Sequence, residues 1–143
     1  NPENDTLDGL VTYVCKFAQD YLNVAGIRCR LEVPAQLPPF TLQAEVRHNL
    51  YLAVKETLNN VVKHAQATRV KVHVNKVNDL LEIIVSDNGR GFHAGATEQF
   101  LTPQGGFGLF SVRERMADFG GAAEISSEPG QGTQVILRVS VNL

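Results

Sequence analysis

The chain has 143 residues, 43% of them hydrophobic and 20% charged, with 13 basic against 15 acidic side chains and a net charge of −2. That is one domain's length with enough apolar material for a core, and the balance carries no basic surplus of the kind that grips a nucleic-acid backbone. No run of about 20 apolar residues offers a membrane span, no basic-then-apolar leader opens the chain, and Cys15 and Cys29 have neither metal nor CxxC spacing, so both are expected as buried thiols in a reducing compartment.

Residues 1–5 are polar and are expected to be a tail or linker, with residues 6–143 forming the domain. Thr6 is a helix N-cap candidate. Leu7, Leu10, Val11, Val14, Phe17, Ala18, Tyr21, Leu22 and Ala25 then recur at three and four residues, an amphipathic helix that Gly26 can end. Ile27 to Val33 alternates like a half-buried strand, and Pro34, Pro38 and Pro39 force a loop after it. A longer helix is expected from about Gln43 to Gln66, with its apolar stripe on Leu50, Ala53, Val54, Thr57, Leu58, Val61 and Ala65.

Arg69–Val77 and Leu80–Val85 read as antiparallel strands joined at Asn78-Asp79. Residues 86–106 are irregular and glycine-rich. A third helix is expected from Phe107 or Gly108 to Phe119, followed by strands Ala122–Ser127 and Thr133–Val141. Hairpins dominate the second half. The order predicts an α+β, two-layer α/β sandwich, in which three helices cover one face of a mixed, mostly antiparallel sheet.

Four segments are polar where the pattern would allow apolar residues. On the second helix, Glu56, Asn60 and Lys63 share a face away from the apolar stripe, followed by His64. They could hold a water, a cation and a phosphate; a plain solvated face is the competing account, weakened because two adjacent asparagines are poor helix formers. Ser86-Asp87-Asn88-Gly89-Arg90-Gly91-Phe92 ends a strand and could be only a turn. Its overlap with the dinucleotide fingerprint G-x-G-x-x-A fails for want of a following helix. Gly105-Gly106-Phe107-Gly108-Leu109 opens the third helix, where glycines and free N–H groups suit an anion. Gly130-Gln131-Gly132-Thr133 leads into the last strand, and alone would pass as an ordinary turn.

Together and in this order, the four resemble the ATP-binding domain of sensor histidine kinases, of the GHKL superfamily that includes DNA gyrase and MutL. Lys55 to Ala67 looks like the N box, in the form where asparagine is followed by a basic residue, His and Ala. Asp87-Asn88-Gly89-Arg90-Gly91-Phe92 resembles the G1 box. Gly106-Phe107-Gly108-Leu109 with Arg113-Glu114-Arg115-Met116 resembles the G2 box, and Gly130-Gln131-Gly132-Thr133 the last one.

That resemblance implies a Bergerat-type fold binding ATP and Mg²⁺. It implies that Asn60 offers an oxygen to Mg²⁺, that Lys63 and His64 neutralise phosphate charge, and that Asp87 accepts from the adenine amino group. Gly89 and Gly91 would pass beside the base, residues 93–105 would form a lid, and Gly106, Gly108 and Leu109 would close it. Thr133 would stand near the adenine. Glu56 would orient the phosphoacceptor imidazole or take its proton.

The acceptor is expected on separate dimerisation helices, because His48, His64, His73 and His93 all fall within the nucleotide domain. The further expectations are a downstream response regulator, no direct membrane contact, a cytoplasmic domain of a membrane-anchored parent, and a monomer in isolation. The alternatives are a nucleotide-binding or interaction module without catalysis, and an ATPase that uses water as acceptor.

Overall fold

The structure is a computed structural model that describes residues 6–93 and 108–141. Helix α1 spans Leu7–Val24, with the Thr6 hydroxyl accepting the Gly9 N–H at 3.0 Å. Capping of this kind satisfies one of the donors a helix start leaves open. Six residues of the predicted stripe, Leu7, Leu10, Val11, Val14, Ala18 and Leu22, are buried; Phe17 and Tyr21 are half-buried, and Ala25, past the helix end, is exposed. Gly26 follows at φ +76°, where a side chain would be strained.

Strand β1 (Arg28–Glu32) lies parallel to β2 (Arg69–Val77), Arg28 opposite Arg69 and Glu32 opposite His73. A parallel pair needs a long crossover, and helix α2 (Ala44–Asn60) supplies it. Strand β3 (Leu80–Asp87) returns antiparallel to β2 through a turn in which Asn78 takes φ +54°. It runs two residues past the expected end, because Ser86 and Asp87 still pair with Lys71 and Val70. That extension sets Asp87 at the strand's tip.

Helix α3 (Leu109–Asp118), β4 (Ala122–Ser127) and β5 (Thr133–Ser140) complete the domain. The five strands lie in the order β1-β2-β3-β5-β4, every neighbouring pair after the first being antiparallel.

One face of the sheet carries Val70, Val72, Val74, Leu81, Ile83, Val85, Val135, Leu137 and Val139, all buried. Leu50, Val54 and Leu58 of α2, with Val112 and Met116 of α3, meet them from the helix layer. On the opposite face Arg138 lies between Glu82 (2.6 Å) and Glu124 (2.7 Å), a cross-strand charge pattern that suits a face open to water. The expected two-layer sandwich is therefore the fold observed.

The cysteines depart from expectation. Cys15 and Cys29 are free and only half-buried, because Cys29 sits on the edge strand and Cys15 beside the α1 stripe. Burial still pushes both thiols above their ordinary pKa. Among the described residues, no helix is long and apolar enough to cross a membrane.

Candidate functional site

The end of α2 does not finish as a regular helix. Val61–Ala65 forms a π-helical turn, closed by Gln66 in the left-handed region at φ +55°. A widened turn of this kind re-aims side chains and recurs at functional sites. At its end the Ala65 carbonyl accepts the Arg90 N–H at 2.7 Å. A Cβ on Gly89 would come within 2.2 Å of that oxygen, so only glycine lets the two segments meet.

Thr57, Asn60 and His64 line a cleft together with Asp87, Arg90, Gly91, Phe92, Leu109 and Thr133. Its floor is the apolar wall of Val61, Val85 and Val135. The cleft's cavity volume is about 50 Å³, well below the roughly 300–1,000 Å³ of small-molecule sites; its empty space is about 490 Å³ only with the open mouth included. Glu56 and Lys63, which regular helical spacing would set beside Asn60, are not among the lining residues. Lys63 is exposed. Glu56 is held instead by Arg115 of α3, whose Nε and Nη2 both lie 2.8 Å from Oε1.

Asn60 occupies the middle of the cleft. Its Nδ2 is buried and has no hydrogen-bond partner among the described residues. A buried donor without an acceptor costs about 1–3 kcal/mol, and such a group marks where an acceptor atom of a ligand can complete the bonding. Gly108, at φ +67°, begins α3 directly over this side chain; a Cβ there would lie 2.5 Å from Asn60 Oδ1. Leu109 is buried beside it. Gly106 lies outside the described residues, as do residues 1–5, expected as a linker, and most of the expected lid.

Asp87 is fixed by its own turn. Its Oδ1 accepts the Gly89 N–H at 2.8 Å and the Thr133 N–H at 3.3 Å. Burial pushes its carboxyl above the usual carboxylate range, opposed by those two backbone donors. No hydrogen bond to Oδ2 occurs among the described residues, so that oxygen can face an incoming donor.

Two glycines hold the opposite wall together. Gly91 (φ +63°) would set a Cβ 2.0 Å from the Glu128 carbonyl, and Gly132 (φ +77°) would set one 1.9 Å from the Asp87 carbonyl. Gly89 and Gly91 therefore secure backbone-to-backbone packing that shapes the cleft.

Ser127, which carries no signal in the sequence patterns, organises this wall. Buried at the end of β4, its Oγ accepts the Phe92 N–H at 2.9 Å and donates to the Gly132 carbonyl at 3.0 Å. A hydroxyl has one proton. The 2.9 Å contact between Ser127 Oγ and Thr133 Oγ1 must then use the threonine's proton. Thr133 is left with lone pairs only, so it and Asp87 both present acceptors. Nothing in the sequence distinguishes Ser127 from an ordinary strand-end serine.

Arg90 is the second residue not given a role from sequence. Its backbone is pinned at both ends, by Ala65 and by the Gly130 N–H at 2.7 Å. Burial is the largest cause pushing the His64 imidazole below its ordinary pKa, and the Arg90 guanidinium and Lys63 add to it. His64 is thus favoured as neutral while cationic groups stand around it. Asn88 serves the fold, its side-chain oxygen accepting the Thr68 and Arg69 N–H groups at 2.9 Å each.

Among the described residues no three His, Cys, Asp or Glu side chains cluster as a metal site. A divalent cation here would have to draw most of its oxygens from a bound ligand and water, with one amide oxygen from the protein. That donor set fits Mg²⁺, which keeps several waters and pairs with phosphates.

Residues 45–143 match the model of the family described as histidine kinase-, DNA gyrase B-, and HSP90-like ATPase. The chain is similar to an uncharacterized sensor-like histidine kinase of Chloroflexus aurantiacus, at 37% identity over 101 residues, covering 70% of this chain and 17% of that protein. It is 35% identical over 96 residues to the sensor histidine kinase LiaS of Bacillus subtilis, covering 67% of this chain and 25% of that one. The chain therefore spans a quarter or less of these two relatives. Among solved structures, the catalytic domain of histidine kinase ThkA superposes with a TM-score of 0.76 at 16% identity, covering 94% of this chain and 92% of that one. At that identity the likeness speaks for the fold alone.

Proposed function

This chain belongs to the histidine kinase-, DNA gyrase B- and HSP90-like ATPase family, as an ATP-binding catalytic domain of the sensor histidine kinase type, and on that premise we propose that it binds Mg-ATP and donates the γ-phosphoryl group to a histidine on separate dimerisation helices. The observation that carries this reading is the convergence on one cleft of Asn60, with its orphaned amide, and Asp87, with one carboxylate oxygen still open.

Asp87 Oδ2 accepts from the adenine amino group, with the Thr133 lone pairs beside it. Guanine carries a keto oxygen at the same position and is repelled by both acceptors. Asn60 Oδ1 and His64 stand at the phosphate end, and Lys63 reaches in from the rim. When bound, Mg²⁺ supplies charge neutralisation across the phosphate oxygens, with Asn60 as its protein ligand. In the transfer, an acceptor imidazole nitrogen forms a bond to the γ-phosphorus, the bond to the β–γ bridging oxygen breaks, and ADP leaves. The G2-box resemblance assigns Gly106 and Gly108 to the phosphate side of the site.

Glu56 is assigned to orienting the acceptor imidazole or taking its proton. Its Oε1 is engaged by Arg115 at 2.8 Å. The reading extends to residues 6–143 as the catalytic module joined through residues 1–5 to the helix domain. It also takes in a response regulator downstream, a cytoplasmic location, and a monomeric isolated domain.

The test is a calorimetric titration with a non-hydrolysable ATP analogue, with and without Mg²⁺, against the guanine counterpart. Saturable binding that prefers adenine and tightens with Mg²⁺ is expected. Absence of binding at millimolar analogue would sink the proposal.

A further inference from the structure

We infer that Arg115 is a positioning residue for the nucleotide site: through Glu56 it fixes the register of α3 on α2 and so holds Gly108 against Asn60. The inference rests on the reading of the cleft as a Mg-ATP site.

Helix α3 is ten residues long, has no side-chain cap, and buries only Leu109, Val112 and Met116. A helix that short is marginal without tertiary contacts, and three apolar residues specify its position loosely. A polar anchor adds what packing lacks. Arg115 spreads its guanidinium over α2: Nε and Nη2 both reach Glu56 Oε1 at 2.8 Å, and Nη1 donates to Asn49 Oδ1 at 3.3 Å. The pair is sheltered, with side chains 30% and 26% exposed, so water screens it less than a free surface pair.

The anchor stands next to the ligand site. Glu56 lies one turn before Asn60 on α2, and α3 starts after Gly108, where an added Cβ would meet the Asn60 amide. A Cβ at Gly108 would lie 2.5 Å from Asn60 Oδ1, so the start of α3 fits over this side chain only as glycine, and its placement depends on where α3 is anchored. Lysine would supply charge at a single point and lose the fork that spans Glu56 and Asn49.

The test uses the full chain and the ATP analogue with Mg²⁺, titrated well below the melting temperature of each protein. Arg115→Met and Glu56→Gln should each weaken binding about tenfold, inside the roughly 5–150-fold range of coupling between linked sites. The double variant should be no weaker than the poorer single one, because both remove the same anchor. Arg115→Lys should fall between. Melting points that drop while affinities stay at the parent value would mean the pair is merely structural, and would overturn the inference.

A binding-independent readout guards against loss of the underlying reading. The Asn60 side-chain amide resonances, assigned by their disappearance in Asn60→Ala, should move in nucleotide-free Arg115→Lys. If they stay in place the inference fails, whatever the nucleotide result. If the unaltered chain does not bind the analogue, the Mg-ATP reading fails, which is a different outcome from parent-like binding by Arg115→Met.

Discussion

Gly132→Ala and Gly130→Ala are matched perturbations with different expected costs. Both glycines sit in the β4–β5 turn in nearly the same left-handed conformation, φ +77° and +76°. An alanine in either pays about 1–2 kcal/mol for that conformation. Both also lose the same unfolded-chain entropy, which cancels in the comparison. They differ in surroundings: nothing lies within 4 Å of a Cβ at Gly130, whereas one at Gly132 would meet the Asp87 carbonyl oxygen at 1.9 Å and its carbon at 2.8 Å. That obstacle is backbone and has no rotamer to escape into. Overpacking adds about 1–3 kcal/mol, so Gly132→Ala should cost about 3 kcal/mol and Gly130→Ala about 1. At roughly 3–4 °C per kcal/mol for a domain of this size, thermal melts should fall by about 10 °C and about 3 °C. Because the displaced carbonyl belongs to Asp87, Gly132→Ala should also weaken adenine binding, and Gly130→Ala should not. Equal melting points would refute the claim that close approach to Asp87 is why glycine stands at 132.

Three further outcomes concern the side chains of the cleft. Asn60→Ala removes an orphaned buried donor worth about 1–3 kcal/mol, so the melting point should hold or rise while Mg-dependent analogue binding is lost; a large drop in melting point would show that the amide is satisfied. Asp87 has a carboxyl raised by burial, so the folded state favours its protonated form. Its stabilising contribution is present at low pH and is lost as pH rises through the raised pKa. Adenine recognition needs the ionised form and should fade as pH drops through that same value. Adenosine is the ligand to titrate, since without phosphates His64 is taken out of the profile, and Asp87→Asn should flatten the curve. Ser127→Ala removes the hydroxyl that accepts the Phe92 N–H and donates to the Gly132 carbonyl, which should cost about 2–6 kcal/mol for two bonds at about 1–3 kcal/mol each. Urea unfolding measures it, and an unchanged midpoint would mean water replaces the hydroxyl.

The helices and strands were legible because their apolar periods were clean: every residue of the Leu7–Leu22 stripe that the structure buries falls at helical spacing. The cleft's residue types were legible through four segments in fixed order. What could not be read was orientation at the end of α2. Regular 100° steps set Asn60 between two groups, Glu56 with Lys63 on one side and Thr57 with His64 on the other, and only the structure shows that the cleft takes the second. The contact that brings the segment around Arg90 to this side is tertiary, the Ala65 carbonyl taking the Arg90 N–H from 25 residues along the chain, and no local window contains it. The adjacent asparagines show the same limit. Asn59 accepts the Tyr21 hydroxyl at 2.9 Å and ties α1 to α2, while Asn60 faces the cleft.

The glycines of the site were legible in position and not in purpose. Read from sequence, Gly89 and Gly91 suggest backbone approaching a ligand. In the structure, Gly89 gives way to the Ala65 carbonyl, Gly91 to the Glu128 carbonyl and Gly132 to the Asp87 carbonyl. Each removes a side chain where two backbones from distant segments touch. Together they pull the end of α2, the tip of β3 and the β4–β5 turn onto one another around Asp87. Asn88 adds the fourth tie by accepting from Thr68 and Arg69. The carboxylate is therefore held by backbone geometry that tolerates no Cβ at three positions, and it can keep one oxygen open although burial disfavours its charge. A glycine-rich motif here encodes the rigidity of the wall that would recognise the base, and loss of any of the three glycines should appear first as a displaced Asp87.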